Sequence, residues 1–225
     1  GGFLHVWDDN HGYKKEPYTR YAYKLSNDGS FKTLYGQSAK KVKRWSKKDE
    51  EDGLIFESDV NPEMRYLIDN YLDNEVPSKS HKELIIDIEV DSTTGLPNLQ
   101  IADKEVTAIS YYDKTENKYV ALIVDPTGEI QNSIENKDGE SICINAYHTE
   151  VDLLQAFMEN FCIIRPTIIT GWNIDNFDIP YLYKRLIELF GLAYANELSP
   201  IGIVTWNSHR VRYFIAGVSC LDYMA

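Results

Sequence analysis

The chain has 225 residues and is acidic, with a formal net charge of −12 at pH 7. No apolar run approaches the roughly 18 residues of a transmembrane helix, so we expect no membrane partner. The three cysteines are odd in number, widely spaced and set among apolar residues, which excludes a disulfide framework and a zinc site and indicates reduced thiols in a cytosolic protein. The acidity disfavours a free-standing DNA-binding module, but it leaves open a nuclease whose acids hold cations.

Residues 3–35 alternate apolar or aromatic runs with turn residues, which predicts a small antiparallel meander. The predicted strands are Phe3–Trp7, Tyr18–Leu25 and Phe31–Tyr35. His5 and His11 could suggest a metal site. Because no acid or cysteine lies at matching strand spacing, we interpret both as surface histidines.

A charged block covers residues 40–52, where six basic residues around Trp45 precede four acidic ones. The basic stripe could lie along a nucleic-acid backbone. We favour the alternative, a solvated helix or loop whose two ends neutralise each other.

A short helix and a linker follow. Pro62 stands where a helix would begin, and apolar residues recur at spacings of three and four through Leu72, which predicts an amphipathic helix. The polar segment 74–82 is the best domain boundary in the chain. The sequence therefore predicts two domains, residues 1–80 and 81–225.

Residues 84–92 predict a buried strand that carries two carboxylates. Since alternate side chains of a strand face the same way, Asp87 and Glu89 point to one side, and Ile86 and Ile88 point to the other. Neighbouring acids on a core strand repel each other and resist dehydration, and Mg²⁺ or Mn²⁺ would offset that cost. The alternative is an edge strand with one wet face.

The next elements predict an α/β fold with a mixed sheet. Two more strands extend an antiparallel meander, an irregular excursion follows, and a helix opened by a capping box at Thr149 crosses over to a further strand. The predicted bounds are Val106–Tyr112 and Lys118–Val124 for the strands, 129–148 for the excursion, 149–164 for the helix and Thr167–Trp172 for the last strand.

Asp178 stands at the start of a second helix, just before Pro180, and this helix ends at Gly191. Backbone N–H groups and the helix dipole favour a carboxylate at that place. Asp178 could therefore be an ordinary N-cap.

Beyond this helix, Ile201–Trp206 and Arg210–Ile215 predict a β-hairpin with exposed Tyr213 and Phe214. A strand over Val218–Tyr223 follows.

Asp87, Glu89 and Asp178 could converge across the sheet. Three or four carboxylates at one point can hold two divalent ions ~4 Å apart, an arrangement that serves in-line displacement at phosphorus. The same carboxylates are poorly suited to catalysing acyl or glycosyl transfer, and no serine or cysteine has a recognisable base partner.

The sequence also resembles the family B DNA polymerases. Asp87-Ile88-Glu89 is similar to their first exonuclease motif, Asp-x-Glu, and Asn173–Asp178 is similar to their second, Asn-x-x-x-Phe-Asp. The segments flanking the second motif, with Pro62–Leu67 and Leu221–Tyr223, resemble the T-even phage branch. The resemblance runs from about residue 17 to the end.

This resemblance implies a 3′→5′ proofreading exonuclease domain of ribonuclease-H-like fold over 81–225, truncated at its C-terminus and preceded by the polymerase's small, mostly β N-terminal domain. It implies catalytic and Mg²⁺- or Mn²⁺-binding roles for three residues and DNA-binding roles for four. The catalytic residues are Asp87, Glu89 and Asp178, with Asp87 bridging two metals; the DNA-binding residues are Asn173 and Phe177 at the strand end, and Tyr213 and Phe214 in a hairpin that parts primer from template.

The implied partners are single-stranded DNA 3′ ends, primer–template DNA, the rest of a polymerase chain and a sliding clamp, in the cytoplasm of a phage-infected cell. One departure matters. The family's third motif, Tyr-x-x-x-Asp, does not occur in the 225 residues, and Asp222 matches the Leu-Asp-Tyr segment after the hairpin instead. We therefore expect a fragment without the polymerase palm that is weak or inactive as a nuclease by itself.

Two further hypotheses remain open. One is a free-standing ribonuclease-H-like nuclease that acts on RNA or short DNA. The other is a catalytically incomplete exonuclease domain that serves as a nucleic-acid-binding or assembly module. The clustering of Asp87, Glu89 and Asp178 argues against the second, because a degenerate site has no reason to keep three acids.

Overall fold

The computed structural model describes residues 2–9, 12–208 and 212–224. They form two compact units, Gly1–Lys79 and Ser80–Ala225, and the division falls inside the polar segment 74–82. The β-rich first unit and the mixed α/β second unit confirm the expected fold class. Each helix of the described ranges is too short or too polar to cross a membrane.

The N-terminal unit contains mostly short strands. Its elements are β1 (Gly2–Asp8), β2 (Gly12–Tyr18), β3 (Ala22–Leu25), β4 (Phe31–Lys32), β5 (Ser38–Val42), α1 (Lys47–Glu51), β6 (Ile55–Phe56) and α2 (Pro62–Tyr71). β1 and β2 form an antiparallel hairpin, and a separate sheet has the strand order β4-β5-β3-β6. The expected single meander is therefore wrong.

The predicted strand Tyr18–Leu25 belongs to two different sheets. Tyr18 ends β2 and pairs with Gly2, whereas Ala22 begins β3 and pairs with Val42. The sequence of β2, Gly-Tyr-Lys-Lys-Glu-Pro-Tyr, does not predict a strand, because it lacks apolar alternation. β4 is also shorter than predicted, since the residues after Lys32 form a turn.

The charged block divides between a strand and a helix. Lys40 and Lys41 lie in β5, and the helix expected for the block is the short α1. Ser46 caps α1 and forms a reciprocal capping box with Asp49.

Two other predictions of this unit concern local features. Helix α2 is confirmed, with Asn61 as its N-cap and Pro62 as its first residue. His5 lies 2.9 Å from the Tyr13 hydroxyl, and His11 lies outside the described residues.

The second unit is built on a mixed sheet. Its elements are β7 (Glu83–Val90), β8 (Val106–Asp113), β9 (Lys118–Val124), β10 (Ser133–Lys137), β11 (Glu140–Tyr147), α3 (Glu150–Ile164), β12 (Ile168–Gly171), α4 (Asp178–Phe190), α5 (Leu192–Ala195), β13 (Val204–Asn207), β14 (Arg212–Ile215) and β15 (Ser219–Asp222). The sheet order is β10-β11-β9-β8-β7-β12-β15, and β13 pairs with β14 in a separate hairpin. The antiparallel meander β7-β8-β9 is confirmed, and β12 runs parallel to both β7 and β15.

The expected irregular excursion over 129–148 is wrong. It contains β10 and β11, and β11 runs parallel to β9. Sequence analysis misses β10 because Ser-Ile-Glu-Asn-Lys is a polar strand at the edge of the sheet. β11 is missed because its parallel partner is decided by tertiary contacts.

The core lies on one face of this sheet. Leu84, Ile86 and Ile88 of β7 are buried together with the apolar side chains of α3 and α4, including Leu154 and Leu182. The opposite face of β7 carries the two acids. The fold therefore separates a dry, helix-covered face from the face that holds the predicted site.

Gly171 lets β12 approach β7 closely. A Cβ atom at Gly171 would lie 2.4 Å from the Ile86 carbonyl oxygen and 2.6 Å from Cγ2 of Ile174. We expect Gly171→Ala to lower the free energy of unfolding by about 1–3 kcal/mol, because backbone cannot yield as a flexible side chain can. Urea unfolding followed by circular dichroism measures this, with Gly2→Ala as a control in open space. An unchanged midpoint for Gly171→Ala would contradict the close approach.

Candidate active site on strand β7

Strand β7 presents Asp87 and Glu89 to solvent. Both acids are exposed, whereas Ile86 and Ile88 are 2% and 4% exposed. The predicted division of side chains between the two faces is therefore correct. The edge-strand alternative is wrong, because β7 lies between β8 and β12.

Asp178 reaches this strand from the start of α4. Its Oδ1 accepts a hydrogen bond from the Ile88 N–H at 2.9 Å, and the residue is only 3% exposed. Because Ile88 stands between Asp87 and Glu89, this bond brings the third acid to the strand that carries the other two.

The N-cap alternative for Asp178 is also wrong. The N-cap position belongs to Phe177, which makes no side-chain capping bond, and Asp178 is the first helical residue. Its carboxylate accepts from the Ile88 N–H of β7 and from its own backbone N–H, and it does not occupy the N-cap position. The expected helix end at Gly191 is confirmed, with a φ of 87°.

The buried carboxyl of Asp178 is costly to ionise. Burial raises its pKa from the ordinary value of 3.8 to about 6, and the negative charge of Asp87 adds to the shift. The bond from the Ile88 N–H acts in the opposite direction. A carboxyl with a raised pKa beside another acid is typical of a functional site.

The donor chemistry of the three acids fits a hard divalent cation. Carboxylate oxygens suit Mg²⁺ and Mn²⁺, and Mg²⁺ keeps several waters, which the exposed positions of Asp87 and Glu89 allow. Within residues 2–9, 12–208 and 212–224, however, no three His, Cys, Asp or Glu side chains form a group poised to hold a metal. The acids are neighbours along β7 without forming a closed cage.

Asp87 is one of the residues that line an open groove of about 430 Å³, whereas Glu89 and Asp178 do not line it. Its lining is largely apolar and aromatic, and includes Tyr112, Trp172 and Tyr223. Trp172 and Tyr223 are 65% and 64% exposed. Asp87 therefore borders space that a ligand can enter.

The loop before α4 holds the other two predicted residues of the second motif. Asn173 has a left-handed φ of 59°, and its carbonyl accepts hydrogen bonds from the N–H groups of Asn176 and Phe177. Phe177 is half-buried and stacks on Tyr181 at a centroid distance of 5.7 Å. Asn173 and Phe177 thus lie on the same tight turn that leads into Asp178.

Asp222 holds this loop from β15. Its carboxylate accepts hydrogen bonds from the N–H groups of Asn173 at 2.9 Å and of Asp175 at 3.0 Å. In the sequence, Asp222 is only part of the Leu-Asp-Tyr segment that resembles the T-even phage branch. Its supporting role has no signal in the sequence, because it depends on β15 pairing with β12.

The predicted hairpin is confirmed as β13 and β14, with residues 209–211 outside the described ranges. Phe214 is 55% exposed, as expected. Tyr213 is half-buried, which corrects the expectation of exposure, because its ring packs on Tyr183 at 4.8 Å and on Trp206 at 5.1 Å. The structure therefore places Tyr213 against α4, and Phe214 is the more exposed of the two predicted residues.

The sequence matches a family model described as DNA polymerase family B, exonuclease domain, over residues 71–225. The chain belongs to this family. It is 29% identical over 208 residues to the DNA-directed DNA polymerase of Escherichia phage RB69, covering 80% of this chain and 23% of that protein. It is 25% identical over 232 residues to the DNA-directed DNA polymerase of Enterobacteria phage T4, covering 88% of this chain and 25% of that protein.

The chain is also similar to the DNA polymerase 037L of Invertebrate iridescent virus 6, with 31% identity over 164 residues, or 67% of this chain and 12% of that protein. The chain spans about a quarter of the length of its phage relatives. Family membership therefore covers the exonuclease domain, and it includes both β7 and the loop of Asp178.

Proposed function

We propose that the chain is the 3′→5′ exonuclease region of a family B DNA polymerase and that it hydrolyses the terminal phosphodiester bond of single-stranded DNA. The observation that carries this proposal is the bond from the Ile88 N–H to Asp178, which joins the two motifs at one place. Two exposed carboxylates on β7 and a third that bonds to the same strand suit phosphate chemistry assisted by divalent cations.

The three acids act together in this proposal. Asp87, Glu89 and Asp178 would hold the Mg²⁺ or Mn²⁺ ions. When bound, such ions lower the pKa of an attacking water and stabilise charge on the leaving oxygen. Asp178 must be ionised to act as a ligand, so a nearby cation would favour the form that burial disfavours.

In this proposal the loop holds the strand end and the hairpin helps to separate primer from template. Asn173 supplies polar contacts, and Phe177, already stacked on Tyr181, offers a ring for the terminal base. In the hairpin, Phe214 is the exposed residue that would contact DNA during separation of primer and template. Tyr213 supports the hairpin through its packing on Tyr183.

The wider assignment follows the phage relatives. Residues 1–80 are the N-terminal domain of the polymerase, and 81–225 are its exonuclease domain. Partners then include primer–template DNA and the remainder of a polymerase chain, in the cytoplasm of an infected cell. Support comes from the similarity to phage proteins that are named DNA-directed DNA polymerases.

The proposal is tested on the 225-residue chain with a 5′-labelled oligothymidylate. Because the third-motif acid is missing from the 225 residues, we expect only slow Mn²⁺-dependent shortening from the 3′ end, blocked by a terminal phosphorothioate and reduced to background in Asp87→Asn. The matched control is Glu116→Gln, an exposed acid in the β8–β9 turn, which should behave as wild type. Electron paramagnetic resonance of Mn²⁺ gives a second readout that does not need turnover.

The outcomes separate the hypotheses. Mn²⁺ binding that is lost in Asp87→Asn, even with slow turnover, supports the metal site. Faster cleavage of oligouridylate than of oligothymidylate would point to a ribonuclease-H-like nuclease acting on RNA. If neither Mn²⁺ binding nor shortening depends on Asp87, the exonuclease proposal is wrong and a non-catalytic module stands.

A further inference from the structure

An ion pair joins the hairpin to the loop of the second motif. The Arg212 guanidinium donates to the Asp175 carboxylate, and Arg212 is the first residue of β14. The side chains of Arg212 and Asp175 are 30% and 12% exposed, so the pair is partly shielded from solvent. Charge-assisted bonds of this kind are stronger than those between neutral groups.

Arg212 also compensates a concentration of negative charge. The Asp175 N–H donates to the carboxylate of Asp222, so two acids meet at this turn. Both carboxylates raise the pKa of Arg212, with Asp175 as the larger cause. Without a cation here, the half-buried acids would repel each other, and the turn would lose an anchor.

The turn held in this way carries the proposed DNA contacts. Asp175 lies two residues before Phe177 and three before Asp178. Asp222 fixes the backbone of the turn, and Arg212 fixes the Asp175 side chain from a different element, the hairpin. The ion pair is therefore a direct link between the hairpin stem and the turn.

We propose that Arg212 is a positioning residue whose ion pair with Asp175 ties the hairpin stem to the turn and so sets the affinity of the site for a strand end. This inference rests on the proposed exonuclease function. Arg212 acts through Asp175 and not by contacting a phosphate itself.

A double-mutant cycle tests this role, with binding of labelled oligothymidylate measured by fluorescence anisotropy in Mn²⁺. Coupling between two sites typically changes the affinity of one of them by roughly 5- to 150-fold. We expect the affinity for the oligonucleotide to fall about fivefold to tenfold in Arg212→Met and by a similar factor in Asp175→Asn. The double variant should bind no more weakly than either single variant, because both remove one interaction. Arg212→Lys should recover part of the affinity.

The matched control is Lys114→Met, which removes the 2.8 Å ion pair with Glu83 in the same unit. It should bind the oligonucleotide as wild type does, and thermal unfolding should change equally little in Lys114→Met and Arg212→Met. A binding loss shared by both variants would mean general destabilisation and would overturn the inference.

A direct phosphate contact predicts different results. In Arg212→Met, the slope of the logarithm of the binding constant against the logarithm of the salt concentration would then be smaller by about one. Asp175→Asn would leave the affinity for the oligonucleotide unchanged or raise it. That pattern overturns the positioning role but leaves the exonuclease proposal intact, as does an Arg212→Met variant that binds like wild type. If wild type itself shows no Mn²⁺-dependent binding that requires Asp87, the proposed function fails, and this inference fails with it.

Discussion

Asp178→Asn is expected to abolish hydrolysis while making the metal-free chain more stable. Asparagine keeps the size of the side chain and an oxygen that can accept from the Ile88 N–H, but it carries no charge. Loss of a metal-binding carboxylate should lower the rate on the order of 1,000-fold, about 4 kcal/mol in the barrier. The same change removes a charge from a buried place beside Asp87.

The stability gain has a definite pH dependence. The folded chain raises the pKa of Asp178 from 3.8 to about 6, so the folded state binds this proton more tightly than the unfolded state does. Ionisation of Asp178 therefore lowers the free energy of unfolding of the wild type as pH rises through about 6. This loss of stability is absent below about pH 4. We expect Asp178→Asn to be more stable by on the order of 2 kcal/mol at pH 7.5, and to equal wild type near pH 4.

Urea unfolding in EDTA between pH 4 and pH 8 measures this difference. Glu116→Gln is the control, because it removes an exposed acid of the same unit and should show no such trend. A less stable Asp178→Asn at pH 7.5 would contradict the assignment of a strained, buried charge. Functional sites often keep charged groups that lower the free energy of unfolding, because activity requires them.

Glu150→Gln is expected to be the most destabilising single change considered for the second unit. Glu150 is 5% exposed and accepts from Nε and Nη2 of Arg185 at 2.7 and 2.6 Å. It also accepts from the Val106 N–H at 2.8 Å. Removing one partner of a buried pair leaves an uncompensated charge, which costs roughly 3–5 kcal/mol.

The measurement is again the free energy of unfolding, here with Arg185→Met and the double variant Glu150→Met/Arg185→Met. The double variant should lose less stability than Glu150→Gln alone, because no charge is left without a partner. Lys114→Met, which breaks the more exposed pair with Glu83, should cost at most about 1 kcal/mol. Equal losses for Glu150→Gln and Lys114→Met would show that burial of the pair is unimportant.

Elements with strong local patterns could be predicted from the sequence. Helix α2 follows from Pro62 and its apolar spacing, and the helix over 149–164 follows from Thr149 and the run of apolar residues behind it. Even here a detail differs, since Asp152 accepts from the Thr149 hydroxyl rather than completing the capping box. The polar strands β2 and β10 were beyond prediction, because pairing and not composition makes them strands.

The sequence by itself determined that Asp87 and Glu89 share a face of β7, because a strand alternates its side chains with a period of two. The resemblance to the second exonuclease motif also made Asp178 a candidate third acid. Only the tertiary structure decided how these residues meet. Asp178 bonds to a backbone group 90 positions away, which requires β12 to lie beside β7.

The support of the loop by Asp222 and Arg212 was likewise decided only in three dimensions. Their partners, Asn173 and Asp175, lie 37 to 49 positions away along the chain. The raised pKa of Asp178 has the same origin, since burial depends on the core packed around the residue. Local periodicity and capping act within a few residues, whereas the charge environment of the site depends on which distant segments the sheet brings together.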